Sequence, residues 1–215
     1  MTVCKLANGI VTMSSIPFPD ASKKATRANA ERGCGLMGYP ARGSWQRVLF
    51  RAPLYLWRMG LGRPLSVAML LLTTRGRRSG LPRRAVLECI DVGGHTYIAP
   101  GWGERNLWYQ NILADPRVTV QRRGGAWGAE ARRVTDTTEL EGVYYRSKRS
   151  PAWKSYLKYW NVNDTLADVL AARDRLVVLR LDPIPALPLA PQESDLLWIW
   201  PALALGSYLC LRKRS

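Results

Sequence analysis

Thr73-Thr74-Arg75-Gly76-Arg77-Arg78-Ser79-Gly80-Leu81-Pro82-Arg83 is the stretch on which the fold turns, because an apolar run over residues 67–72 ends there in a loop of glycines, hydroxyls and cations. Such a run reads as a buried strand, and the loop has the chemistry of an anion cradle. Gly76 and Gly80 allow the backbone to turn so that successive N–H groups can point at one anion, while Arg75, Arg77, Arg78 and Arg83 supply charge. The Gly-Lys-Ser/Thr ending of a Walker loop is missing, and no Gly-x-Gly-x-x-Gly opens a helix there. On composition alone, a solvated basic hairpin loop between two strands remains open.

Further along, Gly101-Trp102-Gly103-Glu104-Arg105-Asn106-Leu107-Trp108-Tyr109-Gln110-Asn111-Ile112-Leu113-Ala114-Asp115-Pro116-Arg117-Val118 reads as a glycine-hinged loop, a short aromatic-rich helix and a proline stop before a new strand. Together the two blocks resemble the deazaflavin-dependent nitroreductases, small split-barrel oxidoreductases that use coenzyme F-420, a phosphorylated 5-deazaflavin with an acidic polyglutamate tail. The family's threonine-rich strand end and Gly-Arg-x-Ser-Gly-x-Pro-Arg stand here as Thr73, Thr74, Gly76, Arg77, Ser79, Gly80, Pro82 and Arg83. Its Trp-Tyr-x-Asn-x-x-Ala-x-Pro-x-Val stands as Trp108, Tyr109, Asn111, Ala114, Pro116 and Val118. The resemblance covers residues 48–182. Where many members have Gly-Gly and a proline ahead of the tryptophan, this chain has Gly101-Trp102-Gly103-Glu104-Arg105.

The resemblance implies hydride transfer from the cofactor to a small, apolar, electron-poor acceptor such as a quinone, enone or nitro compound, with the protein supplying binding and orientation. It implies that Arg77, Ser79, Gly80 and Arg83, with Gly76 and Pro82 in the same motif, hold the phosphate and tail, and that Thr73, Thr74 and Arg75 stand at the strand end. Trp108 and Asn111 would form the other wall, a core tryptophan and a capping asparagine being the plain alternatives. Tyr156 and Tyr159, placed just before the last strand, are candidate proton donors to the acceptor. An FMN-binding or heme-related split-barrel protein, and a non-catalytic basic binder of membranes or nucleic acid, are the competing classes.

The formal charge of +16 is unevenly placed: residues 44–84 hold nine arginines and no acid. Such a block attracts phosphates, anionic headgroups or nucleic acid. Nucleic acid is not expected, because no helix-turn-helix, zinc or RNP signature accompanies the charge and the aromatics sit among apolar rather than basic residues. Cys4, Cys34, Cys89 and Cys210 are far apart and read as free thiols in a reducing compartment. His95 is the one histidine, placed after the Gly93-Gly94 turn, so neither a catalytic triad nor a metal set is expected.

Residues 1–43 lack periodicity and read as a mobile basic leader. Between 44 and 182 lies an α+β domain: a helix carrying Arg47, Arg51 and Arg58 on one stripe, then about six mostly antiparallel strands (67–74, 83–91, 95–99, 117–123, 126–135 and 175–181) in a meander, with an inserted helix near 105–114 and a helical stretch over 138–172. That is the pattern of a split β-barrel, complete by residue 182. Pro183, Pro185, Pro188 and Pro191 mark a stiff linker over 183–195. Residues 196–211 carry no charge and end in Arg212-Lys213-Arg214, a hydrophobic C-terminal helix of about 24 Å, short of a ~30 Å hydrocarbon layer. The expectation is a tail bound to the cytoplasmic side of a membrane.

Overall fold

The computed structural model describes residues 45–123 and 125–212; the leader, with Cys4 and Cys34, and the cations at 213 and 214 lie outside the described residues. Helix α1 (Trp45–Leu56) runs into a π-helical segment (Trp57–Leu61) that kinks where Gly60 takes φ +87°, and into the short α2 (Gly62–Leu65). The strands are β1 (Met69–Arg75), β2 (Pro82–Glu88), β3 (Ile90–Val92), β4 (His95–Ile98), β5 (Arg117–Arg122), β6 (Gly125–Arg133) and β7 (Leu179–Ile184). Helix α3 (Leu107–Ala114) lies between β4 and β5. Helices α4 (Thr137–Ser147), α5 (Pro151–Trp160) and α6 (Leu166–Ala171) follow β6, and α7 (Ile199–Arg212) ends the described chain.

All seven strands pair antiparallel in the order β2-β1-β5-β6-β7-β4-β3, which is not a meander. The order shows why the sheet is a barrel. Its two edge strands, β2 and β3, are separated in sequence by Cys89 alone, so the sheet must curl until its edges meet at that residue. One expected strand over 83–91 is thus two, split at a seam where Cys89 N–H donates to Ala68 O at 3.1 Å. Burial pushes the Cys89 thiol up to about 11, so it is a protonated packing group rather than a nucleophile.

Inside the curl, Leu70, Leu72, Val118, Val120 and Leu179 pack without exposure against the aromatic faces of α3 and α5. Burial of each such side chain contributes roughly 1.5–3 kcal/mol. The helical stretch over 138–172 is three helices because its capping residues interrupt it. Asp136 accepts from Glu139 N–H at the start of α4, Ser150 accepts from Ala152 N–H with Pro151 in the first turn of α5, and Asn161 ends α5 in the left-handed region at φ 53°. Thr165 caps α6.

The proline-rich stretch after the last strand is not free-standing. Strand β7 runs through Pro183 to Ile184, and residues 186–195 then lie as a strap across the barrel. Thr119 Oγ1 donates to Leu189 O at 2.7 Å and accepts its N–H at 3.1 Å, while the Gln121 amide exchanges two bonds with the Gln192 backbone at 3.0 and 2.6 Å. Arg58 grips Asp195 with both guanidinium arms, at 2.7 and 2.5 Å. Proline makes the strap extended, and polar side chains on the outer face of β5 hold it down.

Candidate active site

The 73–83 stretch folds as β1, a tight loop and the start of β2. Gly76 N–H donates to Leu81 O at 2.9 Å and Gly80 N–H to Gly76 O at 2.7 Å, with Gly80 at φ +68°. A Cβ on Gly76 would stand 2.9 Å from Ser79 Oγ and 3.0 Å from Leu81 O, so the turn needs glycine there. Ser79 Oγ accepts from Arg83 Nη2 at 3.3 Å and from Leu81 N–H at 3.4 Å.

One long-range contact ties this loop to α3. Asn111, 5% exposed, donates through Nδ2 to Thr74 Oγ1 at 3.0 Å and accepts the Arg77 N–H on Oδ1 at 3.2 Å. It is therefore a fastener between helix and loop, not a helix cap. The amides of Gly76, Arg77, Gly80 and Leu81 are all engaged within the protein, so the expected run of N–H groups aimed at one anion is largely spent on building the loop. Anion recognition falls to the arginine side chains, of which Arg77, Arg78 and Arg83 are exposed.

The loop opens on a pocket of roughly 1270 Å³. Gly76, Arg77, Ser79, Pro82, Arg83, Trp108 and Asn111 all line it. Four expected site residues stand back from its wall: Thr73 is fully buried, Thr74 braces Asn111, Arg75 pairs with Asp115 at 3.3 Å, and Gly80 serves the turn. Neither tyrosine reaches it. The Tyr156 hydroxyl is buried, donating to Val177 O at 2.8 Å and accepting Val177 N–H at 2.7 Å. Burial pushes its pKa far up, so it is a structural clamp with no proton to offer a substrate. Tyr159 lies one layer behind the wall, against the position where Gly103 turns at φ +50°.

Trp102, from the loop that departs from the family pattern, also lines the pocket, as do Asn106 and Leu107 at the start of α3. Arg51, Arg58 and Arg84, which the sequence marks only as members of a basic block, line the pocket as well, together with the strap residues 190–193 and 195. No local signal marks the strap residues, because the chain that brings them is more than a hundred residues from the loop.

The barrel thus sets a cationic loop at the mouth of a pocket that has Trp102 and Trp108 in its wall. Over residues 55–170, more than half of its length, the chain matches the model of the F-420H(2)-dependent quinone reductase family, and it belongs to that family. It is thus a deazaflavin-dependent oxidoreductase with coenzyme F-420 as its cofactor, and the FMN alternative is not needed. Solved structures with similarity include an F-420-H2-dependent reductase (21% identity, TM-score 0.40, covering 54% of this chain and 94% of that one). Others are a conserved hypothetical protein from Mycobacterium tuberculosis (15%, TM-score 0.35, 60% and 88%) and the heme storage protein HutZ from Vibrio cholerae (13%, TM-score 0.38, 66% and 96%).

Proposed function

We propose that the chain reduces a quinone-class acceptor with F-420, and that Arg77, Ser79 and Arg83 hold the cofactor phosphate. The observation that carries this is the fastening of the Arg77 backbone to Asn111, which sets the arginine loop rigidly at the mouth of a pocket walled by Trp102, Leu107 and Trp108. The residues fit the group: free cations for a phosphate, a loop too tight for a Cβ at Gly76, and flat apolar walls for a ring system. When bound, the reduced deazaflavin supplies the hydride. The chain orients the acceptor against it and excludes other geometries. Among the described residues, the part of the pocket facing α3 presents arginines, a serine, asparagines and apolar groups. Enones and nitro compounds fit the same walls and are alternative acceptors.

The proposal extends to location. Helix α7 and the turn before it leave Leu197, Trp198, Leu203, Leu205 and Tyr208 each more than half exposed. It is fixed beside the pocket rim by the Trp200 Nε1 bond to Met59 O at 2.8 Å and the Leu196 N–H bond to Arg58 O at 3.0 Å. Among the described residues no helix is long and apolar enough to cross a membrane. The fitting arrangement is α7 lying in the interface of an anionic membrane, on its cytoplasmic side, where apolar quinones partition. Oxidation of reduced F-420 by a water-soluble quinone, followed optically with wild type and with Arg77→Ala, tests the chemistry. Flotation with anionic vesicles tests the location, and a dimer in place of vesicle binding would assign α7 to self-association.

A further inference from the structure

The pocket has two lobes, one on each face of the edge strand β2. Arg83 stands opposite Thr74, whose hydroxyl meets Asn111, so Arg83, Ala85 and Leu87 belong to the face under α3. Arg84 and Val86 stand opposite Thr73 and Leu71, which pair across β1 with Thr119 and Gln121. Those last two side chains hold the strap, so Arg84 and Val86 look to the opposite face. There the pocket is closed by Arg51, Tyr55 and Arg58 from one side and by Gln192, Glu193 and Asp195 from the other.

This outer lobe has its own charge logic. Asp195 occupies Arg58 completely, in a two-armed carboxylate grip, and shows the kind of group that the lobe accommodates. Neither Arg51 nor Arg84 forms an ion pair among the described residues, Asp195 acting on Arg84 only through longer-range attraction, and Arg84 Nε is buried without any hydrogen-bond acceptor. A buried cationic donor left unpaired is destabilising, and a bound anion relieves it.

We propose that the outer lobe is a carboxylate-binding subsite, distinct from the 76–83 loop, in which Arg84 and Arg51 take the acidic end of a ligand that passes over Pro82 from the inner lobe. The ligand is an extended chain bearing several carboxylates, and the inference rests on the reading above in that the cofactor's acidic end is such a chain. Arg51 and the strap lie outside residues 55–170, so the subsite is an elaboration of this chain on the family's core.

The probe is tetraglutamate alone, without a flavin, titrated into the full-length protein at low salt and followed by calorimetry or by side-chain NMR. Wild type should bind it, more weakly as salt rises. Arg84→Gln and Arg51→Gln should each weaken that binding about tenfold, the effect of one charge-assisted contact, while Arg77→Ala leaves it unchanged. Inorganic phosphate should show the reverse pattern. Tetraglutamate binding that is absent in wild type, or that is lost with Arg77→Ala and unaffected by the Arg51 and Arg84 variants, overturns the subsite. If Arg84→Gln proves unfolded by its melting curve, Arg51→Gln decides the question by the same criterion. Tetraglutamate binding through Arg84 in a protein with no affinity for F-420 would leave the subsite standing and remove the reading on which it was built.

Discussion

Replacement of Asn111 by alanine strikes the point where α3, β1 and the arginine loop are joined. The side chain makes two bonds, one to Thr74 Oγ1 at 3.0 Å in a fully buried setting and one from Arg77 N–H at 3.2 Å at the pocket edge. Each is worth about 1 kcal/mol net, and the Thr74 hydroxyl keeps its bond to Arg83 O, so the total loss is about 2 kcal/mol. For a chain of this size that lowers the melting temperature by about 4–8 °C. The functional effect is separate. With Arg77 released, its guanidinium is no longer aimed, and F-420 affinity should fall about tenfold, the value of one misplaced charge-assisted contact. Scanning calorimetry and a fluorescence titration with F-420 measure the two losses. An Asn111→Ala protein that melts like wild type and binds F-420 equally well would refute the fastening role.

Arg77→Ala and Arg83→Ala should each weaken F-420 binding by roughly ten- to a hundredfold, from about 1.5–3 kcal/mol per contact, with unchanged melting because both side chains are exposed; unchanged affinity in a direct titration would move the phosphate elsewhere. Gly128→Ala should lift the strap, since a Cβ there runs into Ala186 O, and limited proteolysis should then cut within 186–195 in the variant but not in wild type. Acid should destabilise the protein through Glu139: burial pushes its carboxyl up, but bonds from Arg132, Arg180 and Tyr97 outweigh it and hold the pKa below the usual range. With the folded pKa depressed, the stabilisation is full above the unfolded value of about 4.3 and is lost as pH falls through the folded pKa. Glu139→Gln should accordingly melt lower at neutral pH and show a shallower decline in acid, as denaturation at a series of pH values would show.

The two motif blocks made the core of this account legible in the sequence, because glycine, proline and arginine at fixed spacing report backbone turns and local charge. Three things were not legible. The seam at Cys89 is invisible because residues 83–91 hold no glycine or proline to signal a break, and only the pairing of β3 with β4 instead of with β1 divides them. Asn111 announces its position but not its partner, which lies 37 residues earlier. The strap is hidden most deeply: Thr119 and Gln121 look like the solvated side of an alternating strand, yet they bind backbone about 70 residues later. For that reason a barrel judged complete at residue 182 would, if cut there, expose the outer face of β5 and lose one wall of the pocket. Order along the chain also says nothing about which way α5 presents its side chains: Tyr156 is turned into the core against Val177, and Tyr159 is absent from the pocket lining.

The most direct measurement of the central claim is a stopped-flow mixture of the full-length enzyme, reduced F-420 and a soluble quinone, read at the absorbance band of the oxidised deazaflavin. The account predicts rapid return of that band with wild type, saturable in F-420, and a higher KM for F-420 in Arg77→Ala with the same final amplitude. No return of the band above the uncatalysed rate, or saturation indistinguishable between wild type and Arg77→Ala, would contradict it.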